Sequence, residues 1–393
     1  MFPGQGSQAR GMGADLFDEF AELTKKADKI LGYSIKELCL EDPRRELNKT
    51  QFTQPALYVV NALSYYKKIK DTNEKPDYVI GHSLGEFNAL LAADCFDFEA
   101  GLKLVKKRGE LMSQVKDGAM AAILNASKEE IENILTENDL TNIDLANYNT
   151  PSQIVISGLL DEVAKAEPFF QQGKILYYPL NTSGAFHSRF MQPSKEKFQN
   201  YLKRFKLTKL NIPVISNVMA QPYDNKKILE TLSSQISSTV KWSESVEYLM
   251  ALAKDSAMEF EEIGHGDVLT KMVDTIKRES GVITKVDSKQ SSDDQKVGSR
   301  KSPVSQSTNA KDKSTVSSEN SFKDEKPQAN NDAKNLVSEW NLKYPIGTKV
   351  KSTIMDNDEL ETRTEALVLF GHRAAVYMKD YNGYFDLNEL KAI

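Results

Sequence analysis

The sequence predicts an α/β body with a small inserted strand-and-helix subdomain, followed by a linker and a small C-terminal β domain. Three observations lead there. Strand-like and helix-like segments alternate through residues 1–286. Residues 118–181 read strand–helix–strand–strand–helix–strand. Residues 287–334 lose all apolar periodicity before short strand patterns resume.

The inserted unit is read element by element. Residues 119–126 form a small-apolar, strand-like run. Ser127 and Glu130 make an S-x-x-E capping box that opens a short helix. Residues 143–148 and 153–157 are strands joined by the Asn149-Thr150-Pro151-Ser152 turn. A helix over 160–170 and a strand over 175–180 complete a ferredoxin-like order. The body is then residues 1–117 and 182–286, with 118–181 inserted.

Residues 287–334 are mostly Ser, Lys, Asp, Asn and Gln, and cannot bury enough apolar surface to offset the entropy of ordering. They are read as a disordered linker. In residues 335–393, strand patterns at 348–352, 361–370, 374–378 and 383–387, with an Asn382-Gly383 turn, predict an SH3-like β-barrel.

Composition narrows the function classes. The net charge of −5 is mixed in sign, which argues against nucleic acid as a partner. Cys39 and Cys95 lie in apolar surroundings without metal-ligand spacing, as in a reducing cytoplasm. With no leader-like opening and no apolar run near ~20 residues, neither export nor membrane insertion is expected.

The chemistry centres on Gly81-His82-Ser83-Leu84-Gly85. An apolar strand precedes it and a helical pattern follows, the setting of a nucleophile elbow with a serine at the top of a sheet. The helix start behind Ser83 would direct backbone N–H groups at a developing oxyanion. The plain alternative is an ordinary strand-to-helix turn. A nucleophilic serine needs a base, and the chain has four histidines. His82 adjoins the serine and points to the other face, and His372 lies in the C-terminal domain. His187 and His265 remain, and pattern alone does not choose between them.

Arg108 supplies the third clue. Leu104, Val105, Leu111, Met112 and Val115 form the apolar stripe of a helix spanning 98–115, and Arg108 falls on that stripe. An inward arginine needs a partner. That partner is either an internal carboxylate or the carboxylate of a substrate, gripped in bidentate fashion.

Six segments in order now carry a resemblance: Phe2-Pro3-Gly4-Gln5-Gly6-Ser7-Gln8, Gln54-Pro55-Ala56, Gly81 to Glu86, Arg108, Asn147 to Val155, and Gly184-Ala185-Phe186-His187-Ser188. Over residues 1 to about 280 the chain resembles malonyl-CoA:acyl carrier protein transacylases, including the free-standing acyltransferases of polyketide synthases. The resemblance implies an α/β-hydrolase-like body, Ser83 as acylated nucleophile and His187 as its base. It also implies an oxyanion hole from the N–H groups of Gln5 and Leu84, and the Gln235 carbonyl as the group that orients His187. Arg108 would grip the malonyl carboxylate. Phe186 stands where malonyl-selective members carry phenylalanine, and Gln54, Asn147 and Asn149 would line the pocket or serve as satisfied polar groups.

Further implications are malonyl-CoA as donor, the phosphopantetheine thiol of an acyl carrier protein as acceptor, and neither a metal nor a bound cofactor. The family usually has proline at His265, so that residue receives no role. Three rivals remain: a hydrolase clearing acyl groups from carrier proteins, an esterase using His265, and, for residues 344–393, a non-catalytic docking element for a synthase or carrier.

Overall fold

The computed structural model describes residues 1–182, 184–253, 258–281, 329–352, 359–369, 373–379 and 384–393. His372, Ser183, the Asn382-Gly383 turn and the linker as far as residue 328 lie outside the described residues. The fold is α/β, and no described helix is long and apolar enough to cross a membrane.

At the centre of the body, Val79–Ile80 pairs in parallel with Val214–Ile215, and Phe2 adds a parallel bridge to Gly81. The Phe2 N–H donates to the Ile80 carbonyl at 2.9 Å, and its carbonyl accepts from the His82 N–H at 3.0 Å. The opening motif is thereby fixed against the strand that leads into Ser83. Helices enclose this short sheet. Thr50–Thr72 is almost wholly buried from Thr53 to Leu63, and it packs against Phe98–Ser113. The apolar stripe predicted for the latter is the face turned inward, and Arg108 is buried on it. Asp97 caps this helix by accepting the Ala100 N–H at 2.8 Å.

Residues 118–179 form a unit with its own apolar core, including Ile123, Ile131, Ile156, Val163 and Phe170. Its strands are Gly118–Leu124, Ile143–Thr150, Gln153–Leu159 and Leu176–Pro179, all antiparallel, with the second and fourth at the edges. Helices Lys128–Glu137 and Leu160–Phe170 connect them. The Ser127–Glu130 capping box forms as the spacing predicts. The unit is tied to the body by backbone pairing. Val240 donates to the Ala146 carbonyl at 2.8 Å and accepts the Tyr148 N–H at 2.9 Å.

Beyond the linker, two three-stranded antiparallel sheets share a core with Trp340, Val350, Leu360 and Val376. Two expectations are corrected here. A helix, Ala329–Lys343, begins inside the stretch assigned to the linker. Trp340 is buried and Leu336 and Val337 pack beside it, so this helix belongs to the C-terminal core. The single strand expected over 361–370 is two, Glu359–Glu361 and Leu367–Leu369.

Candidate active site

Ser83 sits on left-handed backbone, with φ of +48° between the strand ending at Ile80 and the helix Gly85–Ala92. This strained turn exists because its flanks carry no side chains. A Cβ on Gly81 would lie 2.0 Å from the Gly85 carbonyl carbon, and one on Gly85 would lie 2.0 Å from the Phe2 oxygen. The Ser83 N–H donates to Asn217 Oδ1 at 2.8 Å, and Asn217 Nδ2 donates to the Gly81 carbonyl at 2.7 Å. Asn217 thus braces both sides of the turn.

The two candidate histidines lie in different surroundings. His187 Nε2 lies 2.8 Å from Ser83 Oγ, and its Nδ1 lies 2.9 Å from the Gln235 carbonyl. A carbonyl only accepts, so Nδ1 carries the proton and Nε2 presents its lone pair to the serine hydroxyl. His187 also has positive φ, +56°, and is buried. Burial above all, and then the nearby Arg108 charge, lowers its pKa to about 3, so the ring is neutral and able to accept a proton. His265 is half-buried on the loop before the Val268–Glu279 helix, and the imidazole hydrogen-bonded to Ser83 Oγ is that of His187. His82 is part-buried, with Nε2 2.9 Å from Asn149 Oδ1 and its ring against Trp242.

Arg108 Nη2 donates to Ser83 Oγ at 3.0 Å and to Gln235 Oε1 at 2.9 Å. Its Nε is buried without a hydrogen-bond partner, and among the described residues no carboxylate lies within ion-pair distance of it, although the buried Glu86 carboxyl acts on its charge from farther off. The guanidinium rests 5.7 Å from the Phe87 ring centroid. Burial lowers its pKa to about 10, which leaves it charged. A buried cation with no carboxylate within ion-pair distance, beside the Ser83 hydroxyl, has the charge and the free N–H to receive an anionic ligand.

The remaining predicted residues divide. The Gln5 loop is held close, since a Cβ on Gly4 would lie 2.3 Å from the His82 oxygen, and Asn61 Nδ2 donates to the Pro3 carbonyl at 2.9 Å. Leu84 directly follows Ser83 at the start of the Gly85–Ala92 helix. Phe186 is buried beside Gly184. Gln54 is buried, with Nε2 3.4 Å from Met112 Sδ and Oε1 unpaired. Asn149 is engaged with His82, and Asn147 bridges to Val240, so both make structural contacts. A cleft of about 680 Å³ opens between the inserted unit and the body, lined in part by His187, Asp144, Tyr148, Val218 and Lys241.

Sequence reasoning missed Asn217 and Tyr223, and treated Glu86 only as a helix residue. Glu86 is fully buried. Its Oε1 accepts from the Asn217 N–H and the Tyr223 hydroxyl, both at 2.9 Å. Burial raises its pKa to about 7, against the opposing pull of these donors, Gln235 and the Arg108 charge.

This geometry agrees with what the chain is related to. The model of the acyl transferase domain family matches residues 1–310. The polyketide biosynthesis malonyl CoA-acyl carrier protein transacylase PksC of Bacillus subtilis is 56% identical over 282 residues, 71% of this chain and 97% of its own length. The chain belongs to the malonyl CoA-acyl carrier protein transacylase family. The crystal structure of the Burkholderia pseudomallei member superposes with a TM-score of 0.70 at 62% identity, covering 71% of this chain and 97% of that one. A malonyl-transacylase in complex with its type II PKS acyl-carrier protein superposes with a TM-score of 0.66 at 32% identity, over 70% of this chain and 92% of its own.

Proposed function

We propose that Ser83 carries the malonyl group between coenzyme A and an acyl carrier protein, with His187 as general base and Arg108 as the clamp for the free carboxylate. The chain is a malonyltransferase of polyketide or fatty-acid synthesis, as its relatives are. The residue roles are our reading of its site. One observation carries it: Arg108 Nη2 lies 3.0 Å from Ser83 Oγ, and Arg108 has no ion-pair partner among the described residues. An acyl chain bound to Ser83 and ending in a carboxylate would meet that guanidinium.

The reaction is ping-pong. Ser83 Oγ attacks the thioester carbonyl as its proton passes to His187 Nε2, 2.8 Å away. The tetrahedral oxyanion is held by the N–H groups of Gln5 and Leu84, and each donor in such a hole is worth ~10²–10³ in rate. The proton returns to the departing thiolate of coenzyme A. The phosphopantetheine thiol of the carrier then attacks malonyl-Ser83 as its proton passes to His187, the ester bond to Ser83 Oγ breaks, and His187 returns the proton to that departing oxygen. No third acidic residue is used, because the Gln235 carbonyl holds the His187 tautomer.

In finer terms, we read the body as α/β-hydrolase-like, supported by the strand–Ser83–helix turn on a parallel pair. The inserted unit has the ferredoxin-like strand order. The C-terminal module is read as an SH3-like barrel that docks a polyketide synthase or carrier in the cytoplasm. Intact-mass measurement after incubation with malonyl-CoA, acetyl-CoA or methylmalonyl-CoA tests the core of this reading. Malonyl addition at Ser83, followed by its transfer to a holo carrier rather than to water, is expected; dominant hydrolysis would favour an editing hydrolase instead.

A further inference from the structure

Beneath Ser83, His187 and Arg108 lies a buried carboxylate that the transfer steps leave unused. Besides the Asn217 N–H and the Tyr223 hydroxyl on its Oε1, Glu86 accepts the side-chain amide of Gln235 on Oε2. All three partners donate to it.

Gln235 in turn touches Ser83, His187 and Arg108. Its backbone carbonyl orients His187 at 2.9 Å. Its Nε2 donates to the Ser83 carbonyl at 2.6 Å as well as to Glu86, and its Oε1 accepts from Arg108 at 2.9 Å. The two ends of a carboxamide are nearly the same in shape, so only its hydrogen bonds decide which end faces which neighbour. Three acceptors, the Glu86 carboxylate, the Ser83 carbonyl and, at 3.4 Å, Asn217 Oδ1, fix Nε2 on one side. Oε1 is then left facing Arg108.

We propose that Glu86 is a positioning residue for substrate selection: through the Gln235 amide it aims the Arg108 guanidinium at the acyl terminus and so sets the preference for acyl chains that end in a carboxylate. This rests on reading Arg108 as the malonyl clamp. A carboxamide at position 86 has a single acceptor oxygen and cannot serve donors on both of its ends. The Gln235 amide then loses its fixed direction, and Arg108 loses its guide.

The test offers the full-length protein an equimolar mixture of malonyl-CoA and acetyl-CoA on a single-turnover timescale, with the acyl groups on Ser83 counted by intact mass. Glu86→Gln is expected to lower the malonyl-to-acetyl ratio about tenfold or more, whereas a purely structural role would slow both acylations equally and leave the ratio alone. Arg108→Ala, run beside it, separates the two readings. A ratio lost in Arg108→Ala and kept in Glu86→Gln overturns the role of Glu86 alone; a ratio kept in Arg108→Ala overturns both. Should Glu86→Gln fail to fold, Gln235→Met keeps the backbone carbonyl for His187 and removes the amide. The same loss of ratio supports the proposal there, and an unchanged ratio overturns it.

Discussion

The guanidinium of Arg108 and the hydroxyl of Ser83 are hydrogen-bonded at 3.0 Å, although 25 residues separate them in the chain. The same hydroxyl faces His187 Nε2 at 2.8 Å, so one oxygen meets both the imidazole and the cation. It accepts from Arg108 and donates to His187, the polarity that nucleophilic attack requires.

Replacing Arg108 by Ala is therefore expected to slow malonyl loading by about 10²–10³-fold, because a desolvated carboxylate that loses its charged partner costs about 3–5 kcal/mol. Loading of acetyl, which has no such group, should change far less. Stopped-time mass spectrometry on each donor separately checks this, and equal losses on both would count against the clamp.

His187→Ala should reduce acylation of Ser83 by at least ~10³-fold, and Ser83→Ala should prevent it. His265→Ala should load malonyl at the rate of the unaltered protein. An inactive His265 variant would revive the esterase reading.

The pH dependence follows from burial of His187. Its folded pKa of about 3 lies below the ordinary value of 6.5. Between these values the unfolded chain binds a proton that the folded protein refuses. The contribution to stability is therefore complete above about 6.5 and is lost as pH falls toward 3. Acylation rates measured from pH 7 to 5.5 should not show the tenfold-per-unit decline of an ordinary histidine base.

Gly85→Ala should destabilise the protein by about 1–3 kcal/mol or more, as overpacking does. The added methyl would meet the Phe2 oxygen, which is bonded to the His82 N–H. A lowered denaturant midpoint together with a lost acyl-enzyme is the expected pair of results.

Removing residues 329–393 should leave Ser83 loading intact, since the residues assigned to the site lie between Gln5 and Gln235. Transfer to the cognate carrier, or co-purification with a synthase, should fall. If neither changes, the docking reading of the C-terminal module fails.

What could be read from the chain, and what could not, follows from the range of the interactions. The elbow is local: two glycines, a serine and the onset of a helix lie within a few residues. Arg108 was visible because a charge on an apolar stripe breaks a short-range period. The inserted unit followed from capping and turn chemistry, both local as well. The nearness of His187 to Ser83 could be read only from coordinates, because nothing near His187 or His265 in the chain encodes its distance to Ser83. Glu86, Asn217 and Tyr223 meet across 131 and 137 positions, with no periodic signature. The carbonyl of Gln235 came from the resemblance, while the direction of its side-chain amide is set by partners in other segments. The helix Ala329–Lys343 was missed because its first residues are Ala-Asn-Asn-Asp, a polar start whose apolar residues come only later.

The backbone bridge between Asn147 and Val240 bears on engineering. Five residues before Val240, the same segment carries the carbonyl that holds the base. Exchanging the inserted unit for that of a relative would thus disturb more than the cleft wall. A graft that shifts this pairing by one position would carry the imidazole out of line with its serine, so chimaeras should be joined with residues 235–240 kept together with the unit they pair to.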